Sequence, residues 1–462
     1  MILLDRKEAP PHSIENSCYW FTYRNSVPIH EPLHGTHETD IAIVGGGFTG
    51  LWTAYFIKKL NPSVRVALLE QETIGYGASG RNGGEACSTL GPGHLSTIQH
   101  FGLEEAKKMA RIAEKNYKAF TEFAADCDFE NTGWLHAALL EEHMESFRNS
   151  HTAAKAVGSG NGWKFFDATE MREQLHSPLY LGGAFSPDGG IVNPMKLVLK
   201  LKKEIEYAGV VIFEKTKAEN IDHGVIRSSG GVVRARHVVL ATDAYSHHLF
   251  PRLLWKFVPL YDYIIVSEPL SEMQLSSIGW RGRQAVVDGR TFFNYYRLTS
   301  DNRILWGVSD AEYYPPNQVG PAHDYSEQYR KSLLASFAKH FPQLKDLRFE
   351  YAWGGPIAST TRLGPCFGRL QSGSLLYGLG YTGEGVVCSR FVGNVLAHMS
   401  LGIHSEILDL HMVKKSPLPY PPEPIRTWVI GMVRSALRNA DAGAKPGLLL
   451  RILDFLKIGF SS

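Results

Sequence analysis

The chain has 462 residues, 44% of them hydrophobic and 20% charged, with a formal net charge of +2 at neutral pH. That length admits two or three structural units or one large interleaved fold, and so even a charge gives no reason to expect nucleic acid or an acidic partner. The five scattered cysteines (Cys18, Cys87, Cys127, Cys366, Cys388) are odd in number and lack zinc-like spacing. They argue against a disulfide framework and a Cys/His metal centre, and they fit a reducing, cytoplasmic setting.

Residues 1–35 read as an irregular arm. Met1 to Ser13 carry charges and two prolines but no apolar core of signal-peptide length. Cys18-Tyr19-Trp20-Phe21 are expected to pack onto the main body. Asp40 to Gly50 then read Asp-Ile-Ala-Ile-Val-Gly-Gly-Gly-Phe-Thr-Gly. The run Ile41 to Val44 is a strand, and Leu51 to Leu60 continue with helical spacing. Between them Gly45, Gly47 and Gly50 fall on the G-x-G-x-x-G spacing of a dinucleotide-binding turn, with Phe48 and Thr49 inside it. One glycine permits the tight turn, the next lets backbone approach a pyrophosphate, and the third lets the helix pack on the strand. The helix N-terminus offers free N–H groups to the phosphates. A second apolar run, Val64 to Leu69, ends in Glu70, placed to accept hydrogen bonds from a ribose hydroxyl. Gln71 follows, and no nearby Arg serves a 2′-phosphate, which disfavours NADP. The glycine turn also argues against reading residues 41–57 as a membrane span.

Residues 71–95 form a long loop dense in Gly, Ser and Asn. Leu103 to Cys127 read as an amphipathic helix, and residues 132–180 carry mixed signals. Asn193 caps and Pro194 opens a helix through Tyr207 that ends at Gly209. Val210 to Phe213 and Ile221 to Val233 read as strands, and His237 to Ala241 as a strand buried in a parallel sheet. Tyr261 to Val266, Phe292 to Arg297 and Ile304 to Val308 suggest an antiparallel sheet in a second region. Ser326 to Phe341 and Val386 to Met399 read as helices.

With these stretches in order, the chain resembles the FAD-dependent oxidoreductases of the D-amino-acid oxidase, glycine oxidase and sarcosine oxidase superfamily, and within it the gamma-glutamylputrescine oxidase-like branch. The likeness rests on Asp40 to Leu51 with Glu70; on Gly77-Ala78-Ser79-Gly80-Arg81-Asn82-Gly83-Gly84; and on Gly209 to Ile221, with Ala218 at the position that meets adenine. It continues through Val238 to Tyr245, with Ala241 and Thr242, then Trp353 to Pro356, with Gly355, and Gly380-Tyr381-Thr382-Gly383-Glu384-Gly385-Val386. Together they span roughly residues 36–412. The resemblance implies an α/β (α+β overall) architecture in which a Rossmann-like FAD-binding domain is interleaved with an antiparallel-sheet substrate domain. It implies a FAD cofactor held by the residues just named, a small-molecule amine or amino-acid substrate, and oxygen or another electron acceptor. The chemistry implied is hydride transfer from a C–N substrate to flavin, giving an imine that hydrolyses. The turn at 380–385 would aim a helix N-terminus at the flavin pyrimidine, where negative charge collects on reduction.

Some positions depart from the family pattern. Sarcosine oxidases carry a covalent flavin on a cysteine after the late glycine turn; here that segment reads Gly355-Pro356-Ile357-Ala358, so non-covalent FAD is expected. Val387 stands where those enzymes place a carboxylate-binding Lys, and Glu384 where a His is usual. These changes favour an amine or polyamine-like substrate over sarcosine. Glu384, Tyr296 and Arg297 are the catalytic candidates, with Tyr295 and Trp306 beside them as an aromatic wall able to embrace an alkyl-ammonium group.

The expected domains are the arm (1–35), a discontinuous FAD domain (36–100, 181–250, 345–412), a substrate domain (101–180, 251–344) and a C-terminal extension (413–462). The extension carries eight Lys/Arg against three acids, with Trp428 to Leu437 and Leu448 to Ile458 as short amphipathic helices. Neither has a large cationic face, so packing on the protein itself or on a second subunit is favoured over a peripheral membrane anchor. An NAD-linked dehydrogenase and a non-catalytic electron-transfer flavoprotein are the competing readings.

Overall fold

The computed structural model describes residues 13–25, 27–445, 447–455 and 458; the remaining parts of the expected arm and of the last expected helix lie outside them. A six-stranded sheet forms the first layer, in the order Cys366–Leu370, Leu375–Leu379, His237–Leu240, Ile41–Val44, Val66–Leu69 and Val211–Phe213. All neighbours are parallel except the first pair. Ile41–Val44 and Val66–Leu69 are buried on both faces, as their unbroken apolar runs require. Helix Phe48–Leu60 crosses between them and packs against helix Gly385–Leu401. The approach is close: a Cβ on Gly393 would lie 2.5 Å from Trp52 Cβ. A four-stranded sheet of Gly35–Glu38, Gly231–Arg234, Val225–Ser228 and Asn220–Asp222 flanks this unit.

The second layer is an eight-stranded sheet: Phe349–Ser359, Val258–Ser267, Ile304–Glu312, Asn294–Leu298, Ala285–Asp288, Trp134–Ala138, Gly182–Ser186 and Lys164–Asp167. It is antiparallel apart from Ala285–Asp288 beside Trp134–Ala138. One face packs under helix Glu327–His340, where Tyr263, Ile265, Tyr296, Trp306, Leu333 and Phe337 form a core. The other face turns toward the parallel sheet.

The interleaving is as expected in kind, but the boundaries sit differently. Gly182–Ser186 and Phe349–Ser359, assigned from sequence to the FAD domain, are hydrogen-bonded into the eight-stranded sheet. Helix Leu103–Ala124, assigned to the substrate domain, packs instead on the parallel-sheet unit through Met109, Ala113 and Phe120. Asn116 Nδ2 donates to Val387 O there at 3.2 Å. Residues 132–180 resolve into two strands and two helices, Glu141–Ala156 and Ala168–Gln174. In the arm, Cys18 to Phe21 are buried, and Trp20 Nε1 donates to Asn82 O at 2.8 Å. The C-terminal helix Ile425–Asp441 is seated on the chain's own eight-stranded sheet: Arg434 pairs with Glu312 at 2.6 Å and Asp310 at 2.8 Å.

Candidate active site

The glycine turn leaves strand Ile41–Val44 at Gly45, whose φ of 111° only glycine adopts without strain. A Cβ there would lie 2.6 Å from Ala241 O, and one on Gly50 would lie 2.0 Å from Gly45 O. The turn is thus packed directly against the second loop, at Ala241 and Thr242. Thr242 Oγ1 itself shares a hydrogen bond with Ser246 Oγ at 2.9 Å. Gly47 N-caps helix Phe48–Leu60 without a side-chain bond. Ser79 Oγ accepts from Phe48 N at 2.8 Å, tying the Gly77–Gly84 loop to the helix end. Glu70 accepts from Gly46 N at 2.7 Å and Glu72 N at 2.9 Å, while Gln71 is exposed. Thr49 Oγ1 meets Tyr381 Oη at 2.5 Å, which joins the first turn to the last. Ala218 packs with Val44 and Leu69 at the carboxyl ends of the central strands.

A cavity of about 710 Å³ opens beside this framework, between the two sheets. Ala78, Arg81, Asn82, Gly83, Gly355 and Thr382 to Glu384 line one end, with Val386 from the helix behind. Asn82 closes its loop by donating to Ala78 O (3.0 Å) and Ser79 O (2.9 Å) and accepting from Gly84 N (2.9 Å). Arg81 is buried, pairs with Asp324 at 2.8 Å and donates from Nε to Tyr76 O at 2.7 Å. Its Nη2 has no hydrogen-bond partner among the described residues. The turn Gly380–Glu384 holds three left-handed residues, Gly380, Thr382 and Gly383, and delivers the N-terminus of Gly385–Leu401 to the cavity.

The eight-stranded sheet supplies the facing wall by strict alternation. Leu260, Asp262 and Ile264 face the cavity, while Tyr261, Tyr263 and Ile265 face the opposite core. Tyr295 faces the cavity from the next strand but one, lying over Gly307, where a Cβ would come within 2.2 Å of its ring. That glycine lets Tyr295 Oη reach Asp262 Oδ2 at 3.0 Å. Burial lifts Asp262 to about 7. Glu85 enters from strand Glu85–Cys87, which pairs with Gly189–Ile191; burial lifts it to about 7 as well, against the nearby Arg297 charge. Glu85 Oε1 has no hydrogen-bond partner among the described residues. Glu384 lies close enough to raise both Glu85 and the Cys87 thiol.

Two catalytic candidates from sequence are displaced. Tyr296 is fully buried on the far face, stacked on Trp306 at 4.3 Å and hydrogen-bonded to Tyr180; neither it nor Trp306 lines the cavity. Residues one apart in a strand face opposite ways, so an aromatic pair at 295–296 can place only one ring at the site. Arg297 is also outside the cavity lining. Its Nη1 donates to Val192 O at 2.9 Å and Gly84 O at 3.2 Å, so it braces the glycine loop behind Glu85. Sequence reasoning missed Asp262 and Glu85. The signal for Asp262 was present: it is the one charged residue in Val258–Ser267.

The residues fit FAD. A Cβ on Gly45 or Gly50 would meet backbone, so the turn can bring its own backbone against a ligand; Glu70 accepts from Gly46 N within it, and Arg81, which lines the cavity, keeps a buried Nη2 without a partner among the described residues. No helix among the described residues is long and apolar enough to cross a membrane, and no group of three metal-ligating side chains occurs there.

Comparison with known proteins gives the same direction. The family model described as DAO, FAD dependent oxidoreductase, matches residues 40–399. A probable oxidoreductase of Haemophilus influenzae is 29% identical over 399 residues, covering 83% of this chain and 88% of its own. The gamma-glutamylputrescine oxidoreductase of Escherichia coli is 28% identical over 394 residues, covering 84% and 89%. The crystal structure of glycine oxidase from Geobacillus kaustophilus superposes with a TM-score of 0.64 at 21% identity, covering 82% of this chain and 99% of its own.

Proposed function

Because the chain belongs to the FAD-dependent oxidoreductases of the DAO family, we propose that it oxidises the C–N bond of an amine, the nitrogen end of which lies against Asp262, Glu85 and Glu384. The convergence of these three carboxylates on one cavity carries the reading. The arginines of the same wall already have carboxylate partners: Arg81 pairs with Asp324, with its Nη2 left over, Arg290 with Asp288, and Arg434 with Glu312 and Asp310. Arg426 is bonded to Asn317 Oδ1 and to the carbonyls of Leu254 and Pro421. A small amino acid would find acceptors for its ammonium group but poor anchorage for its carboxylate; an amine needs only the former.

Bound FAD supplies a two-electron acceptor for the hydride on the carbon next to nitrogen. The turn at Gly45–Gly50 would hold the pyrophosphate, Glu70 the ribose, and Arg81, Gly355 and Thr382–Gly383 the ring system. Asp262, held by the Tyr295 hydroxyl and poised near neutrality, takes the proton from the arriving ammonium at Oδ2 or Oδ1, leaving a neutral amine whose lone pair assists hydride loss. Glu85 and Glu384 favour the cation on arrival. Ile264, Trp353 and Ile357 give the cavity apolar sides that limit water around the reacting carbon. The imine then hydrolyses to a carbonyl compound and ammonia or a smaller amine.

The test is anaerobic mixing of the yellow holoprotein with paired amines and amino acids of equal chain length. Amines are expected to bleach the flavin faster than their carboxylated counterparts. No bleaching by any C–N compound would overturn the proposal.

A further inference from the structure

The cavity extends past the two sheets. Its far wall is built from the C-terminal extension: helix Ile425–Asp441 turns Val429, Ile430, Val433 and Leu437 into it, and Leu453 of helix Leu448–Phe455 joins them. Those positions recur at helical spacing on one face. Trp428 and Met432, on the opposite face, are 76% and 47% exposed. The helix is fixed at both ends by polar bonds that leave this apolar stripe free to meet the cavity. Near its start, Arg426 Nη1 donates to Asn317 Oδ1 and Nη2 to Leu254 O, both at 2.7 Å. Farther along, Arg434 and Arg438 pair with Asp310, and the Asp441 carboxylate accepts from Thr291 N and Phe292 N, both at 2.8 Å. One cavity therefore joins an acidic end at Glu85, Asp262 and Glu384 to an apolar end made by residues beyond the parallel-sheet unit.

We propose that the C-terminal helix is a substrate-selecting wall: it receives the apolar substituent of an amine whose nitrogen lies at the carboxylates, so that alkyl and arylalkyl amines are preferred over short or wholly hydrophilic ones. This rests on the amine reading above. Asp310 and Asp441 hold the helix, so the wall is a fixed surface, and selectivity comes from the apolar area that a substrate covers.

Binding is read without turnover, on holoprotein whose flavin has been chemically reduced beforehand, as the rise in Tm with ethylamine, butylamine, hexylamine and phenethylamine. The apparent dissociation constant is expected to fall about fourfold per added methylene, and phenethylamine to bind more tightly than ethylamine. Trp428→Ser, on the outer face, keeps that dependence. Val433→Phe, which fills the apolar end, abolishes or reverses it for hexylamine; the nearly isosteric Val433→Thr weakens it, should the larger side chain disturb folding. Equal constants for ethylamine and hexylamine in the unaltered protein, or an unchanged series in both Val433 variants, would overturn the wall while leaving the amine reading standing. No Tm response to any amine in the unaltered protein would overturn both.

Discussion

Replacing Asp262 by Asn separates what the carboxylate does for the reaction from what it costs the fold. Asp262 is lifted from an ordinary 3.8 to about 7, with burial as the leading cause and the Tyr295 hydroxyl acting against it. Ionising it in place therefore carries a penalty of at most about 4 kcal/mol. A carboxyl whose folded pKa lies above its unfolded one removes stability as pH rises. The loss begins near the unfolded value, about 4, and is complete above about 7. Asn keeps an acceptor for Tyr295 Oη and never ionises. Asp262→Asn should thus match the unaltered protein in Tm only near about pH 4 and below, exceed it already at about pH 5, and widen that margin until it levels off just above about pH 7. The reductive half-reaction should move the other way. Its rate with an amine rises with pH through about 7 in the unaltered protein. In the variant it falls by about 10²- to 10⁴-fold and loses that rising limb. Thermal unfolding across pH and anaerobic stopped-flow reduction read the two effects on the same samples. A Tm difference that does not depend on pH, or a rising limb that survives in the variant, would refute the reasoning.

Three further outcomes follow from the same geometry. Tyr296→Phe loses its bond to Tyr180 and about 1 kcal/mol of stability without altering the amine KM, whereas Tyr295→Phe removes a donor to Asp262 and moves the rising limb to higher pH, both read from pH profiles beside unfolding curves. Gly45→Ala forces a Cβ to within 2.6 Å of Ala241 O at a left-handed φ, and should purify with little flavin, measured as the ratio of flavin to protein absorbance. Acid precipitation of the holoprotein should leave all the flavin in the supernatant, because Gly355 to Ala358 offer no cysteine and Cys366 is buried in its strand outside the cavity lining.

The nucleotide unit was legible because its constraints are local. A strand, three glycines, a helix and an acidic residue at fixed spacing can be read along the chain, and Gly45, Gly50 and Glu70 lie where that spacing puts them. The 380–385 turn was legible for the same reason. The substrate wall was not, because alternation shows that two faces exist without showing which one meets the cofactor. Tyr295 and Tyr296 are equally good candidates along the chain; only the placement of the strand beside Gly307 turns Tyr295 to the cavity and Tyr296 to the opposite core. Asp262 and Glu85 belong to no motif; their chemistry arises from burial between elements distant in sequence. The apolar stripe of Ile425–Asp441 reads like any packing face, and only its seat on Asp310 and Glu312 turns it toward the cavity.

The most direct test of the central claim is a single anaerobic turnover in which flavin bleaching and product are counted together. The account predicts that an amine bleaches the flavin and yields one carbonyl product, trapped as its hydrazone, for each flavin reduced. Bleaching by alcohols or hydroxy acids with none by amines, or bleaching by amines without a carbonyl product, would contradict it.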